Sequence, residues 1–373
     1  MNDSEIYTKW TPLEVARHYG LPEGLDGAGQ TLAVIDMGEV LDLEELKIDF
    51  EKLGVPMPDV KLVDFGGAAI PQLSPAAIET HIDVEVIGSL CPKAQIIVYR
   101  CKFSFTDMAK AISRAVADKV DVISISWGAA EDTLSSGDIS RIEAALQEAQ
   151  HSGVTVCAAS GDAGASGKTD PETHVPVPDA SGAVHCIYPG SSTLVLSCGG
   201  TEVVETDGGN RHEVVWNNTE TKGRATGGGV SNQFPVPRWQ SGINIASLNR
   251  ATGPGRIVPD VAAVAAVRDW KFFDDGGKQD LEGGTSAVAP FYAALIALAN
   301  QMRIANDKDR LGFVNDQLYA LAAKGGVFND ITEGNNAVAP DGLGYEARKG
   351  FDACTGWGTP RMAELLKALS ELP

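Results

Sequence analysis

The segment Gly283-Gly284-Thr285-Ser286-Ala287-Val288-Ala289-Pro290 and the run behind it, Phe291 to Met302, constrain this chain more than any other part. The run is apolar but for Asn300 and Gln301, so it reads as a helix buried in a core. Two glycines ahead of it let the backbone turn sharply and approach a ligand closely. The helix N-terminus then offers unpaired N–H groups and a positive dipole end to an anion. Pro290 is read in the first helical turn, so the helix does not reach far back past Ser286. These conditions suit a nucleophilic hydroxyl. Gly-Thr-Ser before a helix is also a common N-cap, and the octapeptide alone leaves the two readings even.

A nucleophilic serine needs a neighbour to take its proton. Six histidines are present (His18, His81, His151, His174, His185 and His212), and none sits in the His-Gly-Thr-His setting that accompanies such a serine in subtilisins. The segment from Ala76 to Gly88 has a helical reading instead, in which Ala76, Ile82 and Val86 face the core. Glu79 and Asp83 then share another face one turn apart, while His81 points elsewhere. On an exposed helix two stacked carboxylates are decoration; beside a serine they are a base and its orienting partner. A third carboxylate, Asp162, follows the short buried-strand pattern Val154 to Ala159 in the glycine-flanked turn Ser160-Gly161-Asp162-Ala163-Gly164. Taken alone, it reads as an Asp bonding its own turn.

The chain resembles the sedolisins, or serine-carboxyl peptidases, and within them the kumamolisin-like branch. The likeness runs almost end to end: Thr11-Pro12-Leu13-Glu14-Val15-Ala16, Leu21-Pro22-Glu23-Gly24-Leu25-Asp26-Gly27, Val122-Ile123-Ser124-Ile125-Ser126-Trp127-Gly128 and Ser160-Gly161-Asp162. It continues through Thr226-Gly227-Gly228-Gly229-Val230-Ser231, Val258-Pro259-Asp260-Val261-Ala262, the serine turn, and Asp330-Ile331-Thr332-Glu333-Gly334-Asn335-Asn336. The resemblance implies Ser286 as nucleophile, Glu79 as general base and acid, Asp83 as its partner and Asp162 as oxyanion-hole acid. The residue types agree. Glutamate is a useful base only near its own pKa of about 4, and Asp162 donates to an oxyanion only when protonated. Crowded carboxyls such as Glu79 and Asp83 hold a proton jointly. An acidic optimum follows.

Further positions are implied by the same resemblance. Thr31 to Asp36 reads as the first buried strand, with Asp36 where relatives carry a Glu that is linked through the network to a tryptophan matching Trp127. The shorter Asp36 reaches that far only through a water. Trp127 also reads as a core aromatic at a strand end. Ser126 and Gly128 are expected to contact an extended substrate along a strand edge. Cys186-Ile187-Tyr188-Pro189-Gly190 aligns with a cleft-lining stretch that commonly carries Asp two residues before the proline, so Ile187 replaces an acid. Apolar or small residues are then expected at the second substrate position before the cut. A calcium ion is implied too, with side-chain oxygens from Asp330 and Asp352 and main-chain oxygens from Ile331, Arg348 and Gly350, a hard-oxygen set. Relatives often have Gly where Arg348 stands. Without the family, the two aspartates read as Asx-turns.

Strands Gln95–Tyr99, Val120–Ser126 and Thr155–Ala159 alternate with helices Asp107–Ala117 and Ile139–Ser152. That alternation predicts an α/β fold, a subtilisin-like parallel sheet with helices on both faces. Glu202 to Trp216, broken by Asp207-Gly208-Gly209, predicts a hairpin. No linker or repeat divides the 373 residues, which are expected to form one catalytic domain, 1–373, without a prodomain. Fifty acids against 30 bases give a net charge of −20, which argues against nucleic acid or anionic membranes as partners; polypeptide substrates and a monomer are expected. The six cysteines lack metal spacing and read as buried free thiols. Residues 1–20 show no signal-peptide pattern and no run is read as long enough to span a membrane. The family role implies export, whereas a native start at Met1 implies the cytoplasm. The competing function is a catalytically silent binding or scaffolding relative; a His-based subtilase lacks its histidine.

Overall fold

The computed structural model describes residues 9–38, 41–65, 79–206, 210–221, 223–249, 253–266, 270–274, 278–280 and 283–373. Seven parallel strands form its centre: β1 (Thr31–Asp36), β2 (Asp59–Asp64), β3 (Gln95–Arg100), β4 (Val122–Ile125), β6 (Thr155–Ala159), β8 (Leu196–Thr206) and β12 (Val261–Val264). Their order across the sheet is β12-β8-β6-β4-β1-β3-β2. An eighth strand, β9 (Asn210–Val215), returns antiparallel on β8 with Thr206 opposite Asn210, which is the predicted hairpin. Four short antiparallel pairs lie outside the sheet among the described residues, including β5 (Ala129–Ala130) with β7 (Ile187–Tyr188), and β10 (Gly229–Val230) with β11 (Ile257–Val258).

Strand side chains alternate between two cores, as a period of two requires. Leu32, Val34, Ile96, Val98 and Val122 point to one core. There they meet α1 (Pro12–His18), α2 (Leu43–Leu53), α3 (Glu79–Leu90), α6 (Thr285–Ile304), α7 (Asn315–Lys324) and α8 (Met362–Glu371). Ala33, Ile35, Ile97, Tyr99, Ile123 and Ile125 point to the other, against α4 (Phe105–Ala117) and α5 (Ser136–His151). A third cluster, including Val215, Tyr319, Ile331, Tyr345 and Phe351, lies beneath the C-terminal loops. This is the doubly covered parallel sheet expected from the sequence. The six cysteines are free and buried.

Several boundaries differ from the sequence reading for local reasons. Helix α4 starts at Phe105 because the Ser104 hydroxyl accepts the Asp107 amide, and α5 starts at Ser136 because Ser135 does the same for Asp138. The strand read as Val120–Ser126 pairs only over Val122–Ile125. The amphipathic reading of α3 fails, because everything from Thr80 to Leu90 is buried, His81, Asp83 and Glu85 included; Ala76 lies outside the described residues. Helix α6 is long and apolar enough to cross a membrane, contrary to the sequence reading, but it is packed inside the protein as the central core helix.

Candidate active site

The N-terminus of α6 forms the floor of the site. Its N-cap is Gly284, with φ of +110° and no capping side chain, so neither Thr285 nor Ser286 caps the helix and the N-cap reading is set aside. Ser286 is the second helical residue, 7% exposed, and Pro290 lies inside the helix, a full turn beyond it, rather than in the first turn. A proline there has no N–H for the carbonyl four residues back, which is that of Ser286.

That carbonyl meets Ser126, which follows β4. Ser126 Oγ donates to Asp83 Oδ1 at 2.7 Å and lies 3.3 Å from the main-chain oxygen of Ser286. Asp83 is fully buried in α3, and Glu79 sits one turn earlier on the same helix, half-buried. Asp83 and Ser286 are thus brought together, through a hydroxyl that the sequence reading had treated only as a substrate contact.

Asp162 bonds the residue before the serine. Its Oδ1 accepts from the Thr285 amide and the Thr285 hydroxyl, both at 2.8 Å. Thr285 Oγ1 in turn accepts from the Gly161 amide at 3.0 Å. Oδ1 is committed as an acceptor, and Oδ2 pairs with Arg224 Nη1 at 3.6 Å. The Ala225 amide bonds the Asp162 carbonyl at 3.0 Å, so the glycine-rich segment after it clamps this turn. Thr285, Arg224 and the position of Pro290 were missed in the sequence; Thr285 was in view beside the serine, whereas nothing local marks Arg224.

The remaining predicted positions surround this centre. Asp36 ends β1 and is 1% exposed. Trp127 is half-buried, its ring edge-on to Phe103 with centroids 5.7 Å apart, and its indole N–H finds no acceptor among the described residues. Gly128 is exposed, and among the described residues no strand pairs with 126–128 before β5 begins. Ile187 in β7 lies against both glycine turns: a Cβ on Gly161 would clash with its Cγ1, and one on Gly128 would come within 2.6 Å of its Cγ2.

The predicted metal ligands gather in one loop cluster. The Gly350 amide donates to Asp330 Oδ2 at 2.9 Å and the Arg348 amide to Asp352 Oδ2 at 3.2 Å, so one short segment spans both carboxylates. Arg348 Nε is turned onto the Phe351 carbonyl at 3.2 Å. Burial pushes the Asp352 carboxyl up, against amide bonds from Thr355, Cys354 and Arg348, and an adjacent cation would offset that penalty. Among the described residues no three His, Cys, Asp or Glu side chains converge, so an ion here needs main-chain oxygens as well. The donor set fits a hard cation of the calcium type.

Residues 69–322 match the Subtilase family, and the chain belongs to it. Kumamolisin from Bacillus sp. strain MN-32 is 42% identical over 375 residues, covering 99% of this chain and 65% of that protein. Tripeptidyl-peptidase 1 from Homo sapiens is 32% identical over 261 residues, covering 66% of this chain and 43% of that protein. The chain therefore spans less than two thirds of these relatives' length. The solved structure of Pseudomonas sedolisin, a serine-carboxyl proteinase complexed with two molecules of pseudo-iodotyrostatin, superposes with a TM-score of 0.81 at 26% identity, over 97% of this chain and 98% of that one. Within the subtilases this is a sedolisin-type, kumamolisin-like chain.

Proposed function

We propose that this chain is an acid-acting serine-carboxyl endopeptidase that hydrolyses polypeptides through an acyl-enzyme on Ser286. One observation carries the reading: two carboxyl groups are tied by hydrogen bonds to the backbone at the nucleophile. Asp83 reaches the Ser286 carbonyl through Ser126, and Asp162 holds the Thr285 amide. Glu79, one turn from Asp83, takes the proton as Ser286 Oγ attacks the scissile carbonyl, and returns it to the leaving amine. Asp162, protonated on Oδ2, donates to the oxyanion. Water then repeats the sequence on the acyl-enzyme. A buried Asp83 beside Glu79 makes the pair share one proton, so the base is competent only in acid.

An extended substrate lies along 126–128, with Ile187 forming an apolar wall for its second residue before the cut. Asp330 and Asp352, with main-chain oxygens of Ile331, Arg348 and Gly350, hold calcium, which supplies loop stability and takes no part in the chemistry. All these groups come from one copy of the chain, which acts as a monomer.

Digestion of a denatured protein between pH 3 and 8 tests the proposal. Turnover is expected to peak at about pH 3–5, to vanish in Ser286→Ala and nearly so in Glu79→Gln, and to survive His81→Ala. A maximum at pH 8, or loss in His81→Ala with Glu79→Gln tolerated, overturns it.

A further inference from the structure

We infer that Ser126 is a positioning residue that couples the acid pair to the main chain of the nucleophile, and that Pro290 makes this coupling possible. The inference rests on the role proposed for Ser286 and deepens it. In an uninterrupted helix the carbonyl of Ser286 would accept the amide of residue 290. Pro290 supplies none, so a main-chain acceptor directly under the attacking hydroxyl is left for a group from outside the helix. The group that reaches it is Ser126 Oγ, at 3.3 Å.

A hydroxyl has one proton to give and two lone pairs with which to accept. Ser126 faces two acceptors, Asp83 Oδ1 at 2.7 Å and the Ser286 oxygen at 3.3 Å, and cannot serve both at once. When Asp83 is ionised, the proton of Ser126 goes to the carboxylate, the shorter and charge-assisted bond. When Asp83 is protonated on Oδ1, that O–H donates to Ser126 Oγ, and the proton of Ser126 turns to the Ser286 carbonyl. The proton that reaches Asp83 is the one Glu79 takes from Ser286 Oγ; beyond that transfer, one O–H rotates and one hydrogen bond reverses direction. The acyl-transfer cycle moves a proton onto the Glu79–Asp83 pair as Ser286 attacks. In that step the backbone of Ser286 gains a donor, which anchors the helix end while the tetrahedral centre forms. The other charged groups of the candidate site are Asp36 at the end of β1, Asp162 bonded to the Thr285 amide, and Arg224 paired with Asp162.

The test pairs stability with kinetics. Thermal midpoints are measured for the parent, Ser126→Ala, Pro290→Ala and the double variant. The Asp83 bond is lost wherever Ser126 is replaced, so it cancels in the cycle and only the Ser286 carbonyl distinguishes the backgrounds. Ser126→Ala is expected to lower the midpoint less in the Pro290→Ala background, where a helical amide serves the carbonyl; equal shifts overturn the inference. In turnover, Ser126→Ala is expected to lose about tenfold to a hundredfold in kcat with KM held within about twofold, and Ser126→Thr to recover most of it. A loss confined to KM, or a folded Ser126→Thr no better than Ser126→Ala, also overturns it. Absence of turnover in the parent would defeat the proposed function instead, while the stability cycle would still decide this coupling.

Discussion

A Cβ added to Gly284 would clash with Oδ2 of Asp162, the oxygen to which the proposed function assigns the oxyanion proton. The glycine also holds a φ of +110°, where other residues are strained. Gly284→Ala therefore pushes Asp162 off the site as well as straining the turn. A fall in kcat of about 10²–10³ is expected, the usual cost of one lost oxyanion donor. Steady-state kinetics at acid pH check it; a variant within twofold of the parent means Asp162 is not the donor.

Ile187 fills the space between Gly128 and Gly161, and a cation buried against it has no partner. Peptide libraries cleaved in acid are expected to show Arg and Lys depleted at the second residue before the cut. Ile187→Asp should enrich both. Basic enrichment in the parent would show that this side chain does not line that position.

Glu131 follows β5 and is 1% exposed, with its oxygens taking the Ser231 hydroxyl at 2.7 Å and the Asn232 amide at 2.6 Å. Burial raises its pKa from 4.5 despite those bonds. The folded chain therefore binds this proton more tightly than the unfolded chain. Stability from it is complete below the unfolded value and is lost as pH rises through the folded one. Glu143 shares that direction, whereas Asp179, lowered first by Lys168, adds stability that is lost in acid. Glu131→Gln cannot ionise, so its melting temperature relative to the parent should climb as pH is raised from 4 to 7. A constant difference across that range would contradict the burial argument.

Chelation is expected to lower the melting temperature at neutral pH, because an ion bound only by the native state adds about 2.7 kcal/mol at a hundredfold excess over Kd. Asp352→Asn should abolish the response to chelator. Unchanged melting, with no metal by elemental analysis, would remove calcium from the description.

How far the sequence disclosed the site depends on where each contact lies along the chain. Glu79 and Asp83 were legible because helical periodicity stacks residues four apart, and the strands because apolar runs break at glycine. The grip of Asp162 on Thr285 joins residues 123 positions apart, a spacing no periodic signal reports. Pro290 was placed in the first turn because proline is tolerated there, whereas the helix already begins at Thr285, whose hydroxyl donates to Asp162, and carries Pro290 inside it. The polar residues of α3 suggested a surface, and only packing by α1, α2 and α6 shows that His81, Asp83 and Glu85 are interior.

The stretch 126–128 leaves β4 without a pairing strand among the described residues and rises from the core to the surface within three residues. A cleft built on such an edge recognises amides and carbonyls, which every polypeptide carries, so it discriminates poorly by sequence. It discriminates sharply by foldedness. A segment whose main chain is already engaged in its own helix or sheet has nothing to offer the edge, and a slack one has everything. If Glu79 acts as proposed, the acidity that readies it also loosens many native proteins, so one condition would prepare both the chain and its substrate.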